Sequence, residues 1–393
     1  MIDPAYRAPA GVARAGKLAL VAGLAALSLA LVGAFADPRR FFHSYLLGYM
    51  LCLGVALGGL GLTMVANLTG GLWAVATRRV FEAASRTLPA LLLLFVPLVF
   101  GTTRLYPWAD PSVMASDELL QKKAAYLNVP FFYARAAIYF AVWGALAWAV
   151  NAWSARLDQA SDEALRRRLK GVSAGGILLY VVTMTFAAFD WLMSLEPRWF
   201  SSIFGLLTVA GQGLAAIAFA TFVTTRMAGH QVFRALLGRK VMLDVGNLML
   251  AFTMLWAYMS FSQFLIIWSA NLPEEAAFYV HRLHGGWQWV GLALAVFHFA
   301  VPFLALLLRA TKGAPAIIGT VAAWMLLMRL VDLFWFIQPA ASPERFSLHW
   351  LDVVTPAGLA GLWFAVFARQ YGLRPVVPLP EIGSALEAAA ERH

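Results

Sequence analysis

The chain is short of charge and of cysteine. Asp, Glu, Lys and Arg make up 13% of its 393 residues, about half the share of a water-soluble domain. A surface solvated on all sides is thereby excluded. The single cysteine, Cys52, excludes an intrachain disulfide and a Cys-ligated iron–sulfur cluster, which takes about four thiolates. Set in an apolar run, Cys52 reads as a small packing residue. Histidine is sparse too, and His298 alone is placed near mid-membrane, while His43 and His230 fall at the ends of apolar runs. A b-type haem held by two histidines finds no second ligand at matching depth, so no haem is expected.

What fills the chain instead is apolar sequence. It is 61% hydrophobic with a mean hydropathy of +0.72, and runs of about 20 apolar residues recur from end to end. The fold class is all-α, a polytopic membrane protein forming one integral domain over 1–393. Ten spans are placed at 18–36, 44–68, 88–104, 131–152, 172–193, 202–225, 244–269, 286–308, 315–338 and 348–369. The segments on one side carry 20 Lys and Arg, those on the other 8. The positive-inside rule puts the richer side, both termini and the tail 371–393 in the cytoplasm. It also accounts for the net charge of +10 without nucleic acid. The first span follows Arg7, Arg14 and Lys17 and ends Ala34-Phe35-Ala36, a pattern shared with cleaved signals. Its length favours a retained anchor.

Carboxylates inside apolar runs mark the interesting positions, because each costs about 2.5–3.5 kcal/mol at the centre of a bilayer helix. Phe186 to Ser201 reads FAAFDWLMSLEPRWFS, with Asp190 seven positions before Pro197. Val331 to Pro339 reads VDLFWFIQP, with Asp332 seven positions before Pro339. Both belong to outward-running spans, five and nine, so the repeat is parallel with a period of four helices. Spans two to five (44–193) and six to nine (202–338) are expected as two four-helix bundles, with spans one and ten peripheral. Span two carries glycines at 54, 58, 59 and 61, which allow close helix approach. The Arg-bearing segment 69–87 is expected to lie at the cytoplasmic surface.

Orientation brings Asp190, Glu196, Arg135, His281, His284, Trp287, His349 and Asp352 to the outer half, together with Arg329 and Asp332. Arg135 is placed to reach Asp190 across a bundle, and Arg329 and Asp332, three apart, to pair on one helix face. An apolar, aromatic pocket with a few carboxylates and histidines suits a quinol, whose hydroxyl protons require acceptors tuned by burial. On that reading Asp190 and Glu196 are the reactive acids, and Arg135, Trp191, His281, His284 and Trp287 line the ligand. Asp244 and Asn247, at the inner end of span seven, with His298, Arg329 and Asp332, are candidates for a proton path. The alternative for all these charges is mutual neutralisation that holds helices together. His281 and His284 have too few companions for a metal site, and none is expected.

The stretches FDWLMSLEPRWFS, DVGNLMLAFTMLWAYMSFSQFLIIWSANLPEE and HRLHGGW resemble the F subunits of alternative complex III, within the polysulfide reductase membrane-subunit (NrfD-like) family. The resemblance covers roughly residues 20–370. It implies ten spans with two four-helix bundles, and a place in a quinol:cytochrome c oxidoreductase of the bacterial inner membrane. A sibling NrfD-like C subunit, an iron–sulfur subunit and multihaem cytochrome c subunits would be its partners beside the lipid bilayer. Electrons would pass through those subunits, with no redox centre in this chain. Asp190 and Glu196 lie inside the matching motif. Two other readings are a secondary transporter, whose repeats are often inverted, and a purely structural subunit of the same complex.

Overall fold

The computed structural model describes residues 4–159 and 162–382; residues 383–393 of the expected tail lie outside them. The described residues are helical, with no strand. Among the described residues nine helices are long and apolar enough to cross a membrane, ten if the bent pair Leu72–Ser85 and Leu88–Phe100 counts as one span, as it is numbered below. In chain order the spans are Ala10–Ala36, Pro38–Thr69, the pair Leu72–Ser85 and Leu88–Phe100, Val129–Leu157, Glu163–Trp191, Phe204–Arg226, Arg239–Ala270, Trp287–Leu307, Pro315–Ile337 and Leu351–Gly372. Local chemistry explains where several begin. The Asp37 side chain accepts from Arg40 N ahead of span two, Asn128 from Phe131 N ahead of span four, and Asp162 from Ala164 N ahead of span five. Each satisfies a first-turn N–H that the helix cannot. Pro38, Pro130 and Pro315 add a preset φ where no donor is required.

Spans two and six form the central axis. Their apolar windows are 89% and 78% buried, against 22% for spans seven and eight. Gly58 sits where a Cβ would lie 2.1 Å from the carbonyl oxygen of Gln212, so the backbones of spans two and six touch directly. Spans three, four and five contact span two, spans seven and nine contact span six, and span eight packs on spans seven and nine. Span ten lies along span two, with Gly48 against Pro356, and span one packs on span ten through Gly23 and Gly361.

Residues 72–85, expected at the cytoplasmic surface, form a helix bent 42° from Leu88–Phe100, and Ala74 through Ser85 are buried against the rest of the protein. Their arginines are tolerated because Glu82, on the same helix, accepts from Arg78 Nε at 3.0 Å and Arg79 Nη1 at 2.5 Å. Arg79 also pairs with Asp158. The long connection 105–129 folds over the outer end of the first bundle rather than projecting from it, burying Trp108, Leu120 and Leu127.

Gly58→Leu therefore forces apart the central pair, at a cost of several kcal/mol, since overpacking typically costs about 1–3 kcal/mol even without a backbone clash. The expected outcome is loss of monodisperse protein in size-exclusion chromatography. Gly175→Ala, where an added Cβ meets nothing within 4 Å, should leave the elution profile unchanged.

Candidate functional site at the end of span five

Span five ends in a buried charge. Asp190, 0% exposed, stands one residue before the end of its helix. Arg135 of span four meets it in a two-pronged pair, Nε to Oδ2 and Nη2 to Oδ1, both at 2.8 Å. The Tyr139 hydroxyl donates to Oδ2 at 2.7 Å. The third guanidinium nitrogen of Arg135 donates to the Tyr126 carbonyl at 3.0 Å, and the cation lies over the Tyr126 and Phe131 rings, 3.9 and 4.4 Å from their centroids. Both carboxylate oxygens thus have hydrogen-bond donors, two of them from the guanidinium in a charge-assisted, two-pronged geometry.

Trp191 turns the other way. It is buried against Phe95, Phe140 and Trp143 and forms the aromatic floor of the bundle rather than a ligand wall. Beyond it the chain makes a short 3-10 turn, Met193–Leu195, before Glu196. Ser194 Oγ donates to the Asp190 carbonyl at 2.5 Å, and Lys123 Nζ to the Pro197 carbonyl at 2.6 Å. Between this turn and the 122–127 connection lies a hollow of about 330 Å3, with Tyr126, Phe189, Met193, Ser194, Trp199 and Phe200 in its walls. The Trp199 indole nitrogen is buried without a partner. Tyr126 therefore touches both the hollow and the Arg135–Asp190 pair. Arg135 and Asp190 themselves stand behind this wall.

Glu196 belongs to a different assembly. Its Oε1 accepts from Arg282 Nη2 at 2.6 Å, and its Oε2 lies 3.6 Å from His281 Nδ1. Arg282 is fully buried. It also donates to the carbonyls of Phe278, Trp335 and Phe336 at 2.9, 3.1 and 2.9 Å, and stacks 3.5 Å above the Phe278 ring. Two of those carbonyls close span nine, whose last turn has no intrahelical donors. Arg282 went unnoticed in the sequence between two histidines. The signal available was its position on the side poor in basic residues.

Burial works to raise the Glu196 pKa, but Arg282 and then His281 bring it below the usual carboxylate value. The Glu196 hydrogen bond raises His281 above its ordinary 6.5, against a smaller loss from burial. His284 instead donates to its own helix, Nδ1–H to the Val280 carbonyl at 2.9 Å. Trp287 is buried, its indole N–H bonded to the Ser342 carbonyl at 3.1 Å. Between these two, Gly285 and Gly286 adopt φ of 63° and 100°, a reversal that favours glycine. His281, His284 and Trp287 are thus not gathered round one ligand, and no group of three metal-binding side chains occurs among the described residues.

The second bundle holds its own charge pair. Arg329 binds Asp332 within span nine, as the spacing predicts, and Trp256 Nε1 donates to Asp332 Oδ2 at 3.2 Å. The Arg329 guanidinium rests where Gly211 of span six leaves room. His298 packs edge-on against Trp256, with 4.3 Å between ring centroids, inside a π-helical turn, Leu294–Ala300. Both of its ring nitrogens are buried without partners. π-turns of this kind are frequent at functional positions. Asn247 is elsewhere: its side chain accepts from the buried Lys312 at 2.7 Å. Nine residues of span seven, about 13 Å of helix, separate Asn247 from Trp256. The inward hydroxyl along the way, Thr253, is bonded to its own helix at Met249. Asp244 and Asn247 thus stand apart from the His298 group, with no continuous polar chain between them.

A fourth acid–cation pair lies on span ten. Asp352 of span ten accepts from Arg40 Nε at 3.0 Å, Ser44 Oγ at 2.6 Å and Gln338 Nε2 at 2.8 Å. No protein-family model matches the chain, and no curated protein matches it.

The Glu196–His281 contact titrates with a definite sign. His281 has a raised folded pKa, so its contribution is full below about 6.5 and is lost as pH rises through the folded value. Glu196 has a lowered one, so its contribution is lost as pH falls below about 4.5. Thermal unfolding of the wild-type protein should show a fall in Tm above pH 6.5 that His281→Gln removes. An identical pH profile in the variant would assign the slope to another group.

Proposed function

We propose that this chain is a membrane subunit of a quinol-oxidising respiratory complex in a bacterial inner membrane, with both termini cytoplasmic. A quinol head group would enter the hollow between the 122–127 connection and the turn after span five. The observation that carries the reading is the meeting of that hollow with the Arg135–Asp190 pair through Tyr126. At about 330 Å3 the space accepts one substituted aromatic ring, and its walls are apolar enough to exclude water. Trp199 offers an indole N–H to a quinone oxygen, and Ser194 Oγ a lone pair to a quinol hydroxyl. Asp190, already bound by a guanidinium and a phenol, acts here by fixing Tyr126 and Ser194 through Arg135 and its own carbonyl. Electrons would leave for iron–sulfur and multihaem cytochrome c subunits, beside a sibling membrane subunit, since this chain contributes no cluster thiolates.

A second reading is favoured by one observation: every lone-pair direction of Asp190 that faces a donor is taken. A purely structural subunit would look the same at that residue. Single substitutions do not separate the two, because Asp190→Asn leaves Arg135 buried without its anion, a loss of about 3–5 kcal/mol. The pair exchange Arg135→Met with Asp190→Leu keeps volume and removes both charges, which is often close to neutral for folding.

In the purified complex, that double variant should assemble normally yet lower quinol-dependent cytochrome c reduction by at least ~10-fold, about 1.4 kcal/mol. Met193→Trp, which fills the hollow, should raise the KM for quinol by a similar factor. Unchanged turnover and KM in both would leave only the structural role standing.

A further inference from the structure

At the opposite end of span four from Arg135, the bend in span three opens a second hollow, of about 530 Å3. Its two ends differ in chemistry. Arg86, Arg374 and Asn151 line one, while Leu92, Phe140 and Trp148 line the other. From Asn151 to Phe140 the wall follows span four for eleven residues, about 16 Å, the length of an acyl-chain segment. Halfway along, Gly144 leaves open space, with nothing within 4 Å of an added Cβ. Trp148 and Leu92 are 71% and 47% exposed, so the apolar end opens toward lipid.

The polar end carries two cations, of which Arg86 has no ion pair among the described residues and Arg374 shares Glu82 with Arg78 and Arg79. Arg86 is half-buried and donates to the Gln370 carbonyl at 2.6 Å, but its buried Nε has no partner and no described carboxylate pairs with it. Arg374 Nη1 is likewise buried without a hydrogen bond. Its nearest carboxylate oxygen, on Glu82, is 3.6 Å away and already serves Arg79. Beside them Asn151, 4% exposed, spends its amide N–H groups on Ser85 and Ala147, and its Oδ1 is left unbonded. Arg86, Arg374 and Asn151, each with a buried polar atom that lacks a hydrogen-bond partner, therefore line one hollow together with apolar side chains.

We propose that this hollow binds one anionic glycerophospholipid with a hydroxyl-bearing head group, of the phosphatidylglycerol type. Its phosphodiester accepts from Arg86 and Arg374, a head-group hydroxyl donates to Asn151 Oδ1, and one acyl chain lies over Gly144 between spans three and four. The arginine-rich level of the protein is where anionic lipid surfaces attract basic side chains. Charge-assisted hydrogen bonds of this kind contribute more than neutral ones. The site is independent of the quinol reading.

Native mass spectrometry of the full chain, with phosphatidylglycerol or phosphatidylcholine added to the detergent, tests it. One phosphatidylglycerol should be retained with ~10-fold preference. Arg86→Gln should reduce retention by ~10-fold or more. Gly144→Leu should do the same without lowering Tm, since its side chain enters empty space. Inorganic phosphate should not compete. Equal retention of the two lipids, or binding indifferent to Arg86→Gln, would overturn the proposal. So would competition by phosphate with Gly144→Leu neutral, which points to a soluble anion. A photo-crosslinker at Trp148 should gain a lipid-sized mass in membranes, and capture of a polypeptide there would also count against it.

Discussion

Charge that leaves water must meet its opposite, and that constraint decides how the helices of this protein are held. Asp190 meets Arg135, Glu196 meets Arg282, Asp352 meets Arg40, and Asp332 meets Arg329. In the first three pairs the cation comes from a different element than the acid. Each therefore ties two parts of the chain that packing alone would leave able to slide. Apolar surface gives little preference for one helix neighbour over another in lipid, where tails are as apolar as leucine. A buried carboxylate does, because the wrong neighbour leaves it unpaired at a cost of several kcal/mol.

Charges within apolar runs are the part of this scheme that the sequence displays openly. Arg135 and Asp190 stand out for that reason, and depth alone brings them together. Arg329 and Asp332 share a helix face by spacing. Other contributions depend on rotation and on loop paths, which composition does not reveal. Trp191 and Trp287 are the right residue type in the right place, yet both face the core. Tyr126, Ser194 and Trp199 come together only because the 122–127 connection folds back over the turn after span five. The arginines of 78–86 look like loop charges until Glu82, one turn along, is seen to neutralise two of them. The glycines of span two mark a contact correctly, but nothing in them names Gln212 as the partner backbone.

Asp190 and Asp332 each stand seven residues before a proline, but their surroundings differ. In the first bundle the cation arrives from span four and is steadied by two aromatic rings. In the second it arrives from the same helix and rests on a glycine of span six, with a tryptophan as the further donor. The fourth-span position therefore carries no arginine in the second bundle. Its span instead bears His298 in a π-turn, unbonded and buried. One acid thus stands behind a surface hollow, while the other belongs to a polar centre buried among helices.

Those ties also bear on movement. Alternating access in transporters built from repeats rocks one bundle against the other about a central site. Here Arg282 holds Glu196, at the end of the first bundle, to three carbonyls of the second. On the same level Arg40 and Asp352 lock spans two and ten, with Gln338 of the second bundle joined to the same carboxylate. At the centre, Gly58 sets backbone on backbone, a contact with no side chains to interdigitate differently. Rocking would break several charge-assisted bonds at once in a place where water reaches only the edge, with about 3 kcal/mol at stake for each buried pair. A frame fastened in this way is poorly suited to opening first to one side and then to the other.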